Sequence, residues 1–324
     1  MAQVTQAPPE LAPSPDLARK PRFRARSDSP YWVLLYAVGA IFGLLIVGFL
    51  LSVISESWPA WQKYGLSILY GTTWNQSTGQ FGAVPLIIGT IETTAIALFL
   101  AVPIGIGTAL AIVHVLPARL RTVTSSVVEL LAAVPSVVYG LWGFLVLGPW
   151  FATTVEPKIQ SFWHGNFPFQ GQVETSSLLL AGCVLFVMIL PLVVALSRDA
   201  IMTVPDETIE GALSVGATRW QVFRKVVLPS ARVGIVGAVT LATARALGET
   251  VAVAMVIGLN PNIAHSLYAP SATIASIIAT EFQDSTPNEV AALCALAVIL
   301  MAMTLVVNLL GRWLINRGAV KATP

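Results

Sequence analysis

Six stretches of this chain are too long and too apolar for the helices of a water-soluble fold: approximately residues 31–55, 85–113, 123–148, 177–197, 233–258 and 289–312. Each supplies the ~20 mostly apolar residues that cross a ~30 Å hydrocarbon core. Backbone N–H and C=O groups find no partners in lipid, so each span is expected to be a helix. Only 10% of the 324 residues are charged, against about a quarter in a soluble domain. An all-α polytopic membrane protein with six transmembrane helices follows. Prolines at Pro103, Pro135 and Pro191 are expected to kink their helices.

The few charges orient it. Fifteen of the eighteen Lys and Arg residues fall on one side: five between Arg19 and Arg26, then Arg119 and Arg121, five between Arg198 and Arg232, and three from Arg312 onward. Lys63 and Lys158 lie on the other side, where aromatics such as Trp58, Trp61, Trp150 and Trp163 suit the headgroup level. By the positive-inside rule both termini are expected in the cytoplasm. Residues 1–30, rich in proline and charge, are expected to be a disordered cytoplasmic tail. Residues 31–315 form the membrane domain, including an inner hairpin at 199–230, and 316–324 a second tail. The apolar stretch 266–282 is too short to span comfortably and is expected to be re-entrant or interfacial on the outer side.

The inner hairpin carries the first specific motif. Pro205, Asp206, Glu207 and Glu210 open one short helix, Gly216 interrupts it, and Thr218 can cap a second. Pro229 is expected to stop that second helix just before the fifth span. Within this hairpin Glu210, Gly211, Ala212, Gly216, Leu228 and Pro229 resemble the coupling loop of importer permeases of the ATP-binding cassette class, E-A-A, three residues, G, nine residues, I-x-L-P. Gly211 departs from the usual alanine and Val226 from the usual isoleucine. The resemblance implies a knob that docks in a groove of a separate ATPase. No stretch matches the G-x-x-x-x-G-K-[ST] phosphate cradle, so the chain is expected to have no enzymatic activity and no cofactor of its own.

Four ionisable residues fall within the spans: Glu92, Glu129, Arg245 and Glu249. Helix N-termini can account for the first two. Arg245 and Glu249 are four residues apart near the middle of the fifth span, so on a continuous helix they share a face and can pair. An arginine at that depth costs roughly 2.5–3.5 kcal/mol and usually faces a bundle interior or a watery cavity. Guanidinium matches tetrahedral oxyanions, and a neighbouring carboxylate can accept from one that keeps a proton. That combination favours phosphate over sulfate; a structural ion pair is the alternative.

The strings ELLAAVPSVVYGLWGFLVLGP (129–149), RALGETVAVAMVIG (245–258) and TIASIIATEF (273–282) are similar to the permease subunits of the bacterial phosphate-specific importer. The resemblance extends from about residue 30 to 315. It implies the type I importer permease fold in the bacterial inner membrane and a translocation role for Arg245 and Glu249. It further implies a related second permease as heterodimeric partner, two ATP-binding subunits that hold the ATP and magnesium, an extracytoplasmic phosphate-binding protein and no nucleic acid, with membrane lipid around the spans. Glu129, Pro135 and Tyr139 are candidates for a gate, with simple helix packing as the alternative. A permease for a sulfate-like oxyanion or an organic solute is the nearest rival reading. An ion-coupled secondary transporter would leave the hairpin without a purpose.

Overall fold

The computed structural model of the chain describes residues 29–319 apart from 165 and 173. Both expected tails lie mainly outside the described residues, as do the basic residues from Arg19 to Arg26 and Lys321. Among the described residues six helices are long and apolar enough to cross a membrane. In chain order the helices that matter here are α1 (Ser29–Tyr64), α2 (Val84–Val115), α3 (Ala118–Ala133), α4 (Ser136–Phe162), α5 (Leu178–Met202), α6 (Asp206–Ser214), α7 (Arg219–Leu247), α8 (Val251–Ile257), α9 (Ile274–Glu281) and α10 (Pro287–Ala319).

The chain divides into two compact units, residues 1–52 and 53–324. In the first, α1 presents side chains that are exposed from Tyr31 to Phe49, as a helix facing lipid does. In the second, α5 is the central helix and packs along α2, α7, α3 and α8. Leu185, Met188, Ile189 and Val193 meet Ala97, Ala101, Ala242 and Ala246 there. Alanine and glycine let the backbones close up, since no hydrophobic drive separates helix from lipid. A Cβ on Gly105 would lie 2.7 Å from Val193 Cγ1, and one on Gly182 2.6 Å from Ile96 Cγ2.

Two expected spans are interrupted. The third, expected as one helix over 123–148, breaks at Val134 and Pro135, both extended (ψ 130° and 139°). Proline has no N–H to give and holds the preceding residue out of the helical region. The spanning piece is α4, which continues to Phe162, past the expected end of the span at 148. The fifth, expected over 233–258, begins at Arg219, ends at Leu247 and resumes as α8 after Gly248, Glu249 and Thr250.

Conversely, Pro229 does not stop a helix. The second arm of the hairpin and the fifth span are one helix, α7, with a π turn at Phe223–Val227. All four π turns among the described residues end two residues before a proline: Val115 before Pro117, Leu147 before Pro149, Val155 before Pro157 and Val227 before Pro229. A turn widened to i→i+5 moves aside the carbonyl that the proline ring would strike and that has lost its donor. Pro103 and Pro191 lie inside helices that run on.

Residues 266–282 hold the short helix α9, packed within the protein. Its Thr273–Ser276 capping box is buried and Ile274 N–H donates to Thr90 Oγ1 at 3.0 Å. A two-stranded hairpin, β1 (Trp74–Asn75) and β2 (Gln80–Phe81), leans on it. Trp74 Nε1 and Gln76 Nε2 both donate to Glu281 Oε2, at 2.9 and 2.8 Å.

Candidate functional site

The helices that follow the two breaks pack together. Just beyond the breaks α4 meets α8 backbone to backbone: a Cβ on Gly140 would lie 2.8 Å from Ala252 Cα and 2.9 Å from Met255 Sδ. Interrupted helices at membrane depth survive only where protein or a water-filled cavity satisfies the freed backbone groups. Here the protein supplies partners at both breaks. Tyr139 Oη donates to the Leu131 carbonyl at 2.8 Å, bridging the first break. At the second, Glu249 N–H donates to Ala246 O at 3.4 Å, and the Glu249 carboxylate accepts from Ala252 N–H at 3.3 Å.

That last bond corrects the expectation of an Arg245–Glu249 pair. The i, i+4 spacing brings two side chains together only on an unbroken helix, and this one ends between them. Glu249 turns forward to cap the first turn of α8. Arg245 stays in the last turn of α7, where a cation suits the negative end of the helix dipole. Among the described residues the ion pairs are Arg198–Glu129 and Arg198–Asp199, and Arg245 belongs to neither. Its side chain is exposed on the chain's own surface, and its charge reaches the Tyr139 hydroxyl. It lies thirteen residues beyond Arg232, about 20 Å along the helix. An outward-facing guanidinium at that depth, beside two interrupted helices, can meet an oxyanion bidentately.

The gate candidates separate. Pro135 makes the first break and Tyr139 pins it. Glu129 lies before it on α3, paired with Arg198 Nη1 of α5 at 3.3 Å.

The hairpin residues come together, Ile209 and Ala212 packing with Val222, Val227 and Leu228. Glu210, Gly211 and Ala212 sit on α6. The chain turns at Gly216, whose φ of +86° is the left-handed region that suits glycine. Thr218 then caps α7 through a box with Gln221, the cap expected from the sequence. A Cβ on Gly211 would meet nothing within 4 Å, so the departure from alanine there relieves no clash. Leu228 and Pro229 lie within α7, beside Val222 and Val227, which are buried against Ala109, Ile201 and Ile235. The knob's tip is bare: Val215 is 84% and Trp220 68% exposed.

Two residues escaped the sequence reading. Arg198 was only one member of a basic loop; its partner is 69 residues away, and no local pattern shows that contact. Glu156, beyond the expected end of the third span, is fully buried. Its Oε1 accepts from Ser177 Oγ at 2.8 Å, its backbone carbonyl takes the Tyr268 hydroxyl, and its Oε2 has no partner. A lone acid among aromatics carried no signal of that.

A family profile described as "Binding-protein-dependent transport system inner membrane component" matches residues 101–318. The chain is 39% identical over 322 residues to the phosphate transport system permease protein PstC of Mesorhizobium japonicum, covering 98% of each. It is 38% identical over 287 residues to PstC of Haemophilus influenzae, covering 86% of this chain and 91% of that one. Among solved structures, a chain of a bacterial alginate ABC transporter, crystallised with an alginate-bound periplasmic protein, aligns with a TM-score of 0.60. That alignment covers 89% of this chain and 96% of the other. At 18% identity, the likeness is one of fold.

Proposed function

The chain belongs to the binding-protein-dependent transport permeases of the inner membrane, and we propose that it forms one half of the membrane path of an ATP-driven phosphate importer. The observation that carries this reading is the exposed Arg245, in no ion pair among the described residues and beside a helix break, in a chain similar over nearly its whole length to phosphate permeases.

Arg245 receives the anion. Glu249 sets the start of α8 and offers its other carboxylate oxygen to the hydroxyl that phosphate keeps near neutral pH and sulfate lacks. Because Arg245 faces away from this chain's core, a second, related permease supplies the facing wall. Both termini are cytoplasmic, which places the hairpin inside. There it docks on one of two ATPase subunits, and these hold the ATP and magnesium. A phosphate-binding protein delivers its cargo from the other side, where α9 and the β-hairpin lie.

Coupling is mechanical. From Arg219 in the hairpin to Arg245 runs one uninterrupted helix, so about 40 Å separate the knob from the guanidinium along a single rod. Movement imposed on Glu210, Gly211, Ala212, Gly216, Leu228 and Pro229 by ATPase closure therefore arrives at the break beside Arg245 and alternates the opening of the path. The exposed Trp220 is a natural anchor, since buried aromatics dominate interface energetics. Replacing Trp220 with glutamate is expected to weaken ATPase association at least tenfold while the isolated permease still inserts and folds; co-purification from detergent measures it.

Proteoliposomes holding the assembled complex test the function. Phosphate uptake should require ATP and binding protein and should persist in excess sulfate. Uptake without ATP would make the chain part of a secondary transporter, and equal competition by sulfate would make it a general oxyanion permease.

A further inference from the structure

α3 is jointed at both ends and tied along its length. Extended residues next to proline flank it, Leu116–Pro117 before and Val134–Pro135 after. At its start the Arg121 guanidinium donates to the carbonyls of Ile112 (3.0 Å) and Val113, at the end of α2. At its far end the Leu131 carbonyl receives the Tyr139 hydroxyl. Between these, Val128 is buried with Ile112 and Val194, and Glu129 Oε1 takes Arg198 Nη1 from α5.

The last tie is built to let go and close again. Arg198 also donates through Nε and Nη2 to Asp199 Oδ1, at 3.1 and 3.0 Å, so its guanidinium keeps an anionic partner when Glu129 leaves. The Glu129 side chain is 62% exposed and regains water on release, whereas that of Arg198 is 17% exposed and stays in place. An ion pair this open to water contributes little to stability, which suits a contact that must break repeatedly. Beside it lies a recess of about 350 Å³ whose lining mixes Arg121, Thr122, Ser125 and Ser126 with the apolar Ile112 and Met202.

We infer that Arg198 is a positioning residue that latches α3 against α5 at the inner end of the path. Releasing Glu129 lets α3 swing about its proline joints and, through Leu131 and Tyr139, shifts the surroundings of Arg245. This rests on the transport reading above.

The test uses the assembled complex with Cys183 and Cys294 replaced by alanine and a reporter cysteine in place of Val128, which is 8% exposed while α3 lies on α5. Arg198→Gln and Glu129→Gln should each speed maleimide labelling about threefold, the size expected from losing a partly exposed pair. The double variant should label no faster than either alone, the mark of one shared contact. Phosphate moved per ATP should fall in parallel, and Asp199→Asn, which removes the partner that holds Arg198 when Glu129 leaves, should slow labelling instead. Unchanged labelling in Arg198→Gln, or rates that multiply in the double variant, would overturn the latch. If the cargo is not phosphate, uptake fails already in the parent while labelling still follows the ion pair, so the two ideas fail separately.

Discussion

Replacing Arg245 with alanine should lower phosphate uptake by roughly a hundredfold or more while leaving assembly and ATP hydrolysis close to their normal levels. Two charge-assisted hydrogen bonds to an oxyanion contribute on the order of 3 kcal/mol together, which is about that factor. Stability should scarcely change. The side chain is exposed and belongs to no ion pair among the described residues, so alanine leaves no buried partner stranded. Lysine at this position should restore only part of the rate, because a point charge cannot reproduce the planar fork. Uptake and ATPase activity in proteoliposomes are the measurements. If uptake stays within about threefold of normal, Arg245 merely complements the end of α7, and the phosphate assignment loses its chemical basis. Had Arg245 paired with Glu249, the same substitution would have stranded a carboxylate and cost stability, so thermal unfolding of the variant also tests the break between them.

How legible the sequence was depends on what each signal reports. Hydropathy counts spans, and six apolar runs became six long helices. It does not report backbone continuity. The apolar run of 123–148 passes through Val134–Pro135 unchanged, and that of 233–258 passes through Gly248–Thr250, so both breaks were invisible to it. Spacing arguments inherit the same blindness: Arg245 and Glu249 share a face only if α7 continues. Proline misled in the opposite direction at Pro229, because a π turn just before it lets the helix go on, and no composition rule distinguishes that outcome from the break at Pro135. Local chemistry fared better. Thr218 with Gln221 makes the cap it suggested, and Gly216 adopts the left-handed turn, because caps and turns are decided within a few residues. Long-range contacts such as Arg198–Glu129, and the burial of Glu156, follow from packing that one sequence does not display.

Gly140→Ala should abolish most transport although it adds a single methyl to a helix. On propensity alone the change favours the helix, by about 1 kcal/mol. Packing decides otherwise. The new Cβ would lie 2.8 Å from Ala252 Cα, 2.9 Å from Met255 Sδ and 3.3 Å from Ala252 O. A methionine tail can rotate away, but backbone atoms cannot, so α4 and α8 must separate. Overpacking of this kind costs typically 1–3 kcal/mol, which outweighs the propensity gain. The displacement falls one residue beyond Tyr139 and three beyond Glu249, where both interrupted helices are held, so the position of Arg245 relative to the first break must change with it. The expected result is uptake reduced tenfold or more and a lower unfolding temperature of the complex, with the hairpin still able to hold the ATPase. Valine, branched at Cβ, should be worse. Adding Met255→Ala separates the two contacts: if it restores transport, the sulfur was the obstacle and the helices were never in backbone contact. If transport stays lost, the close approach of α4 to α8 is what aligns the two breaks, and glycine is required at 140 because any side chain there pushes them apart.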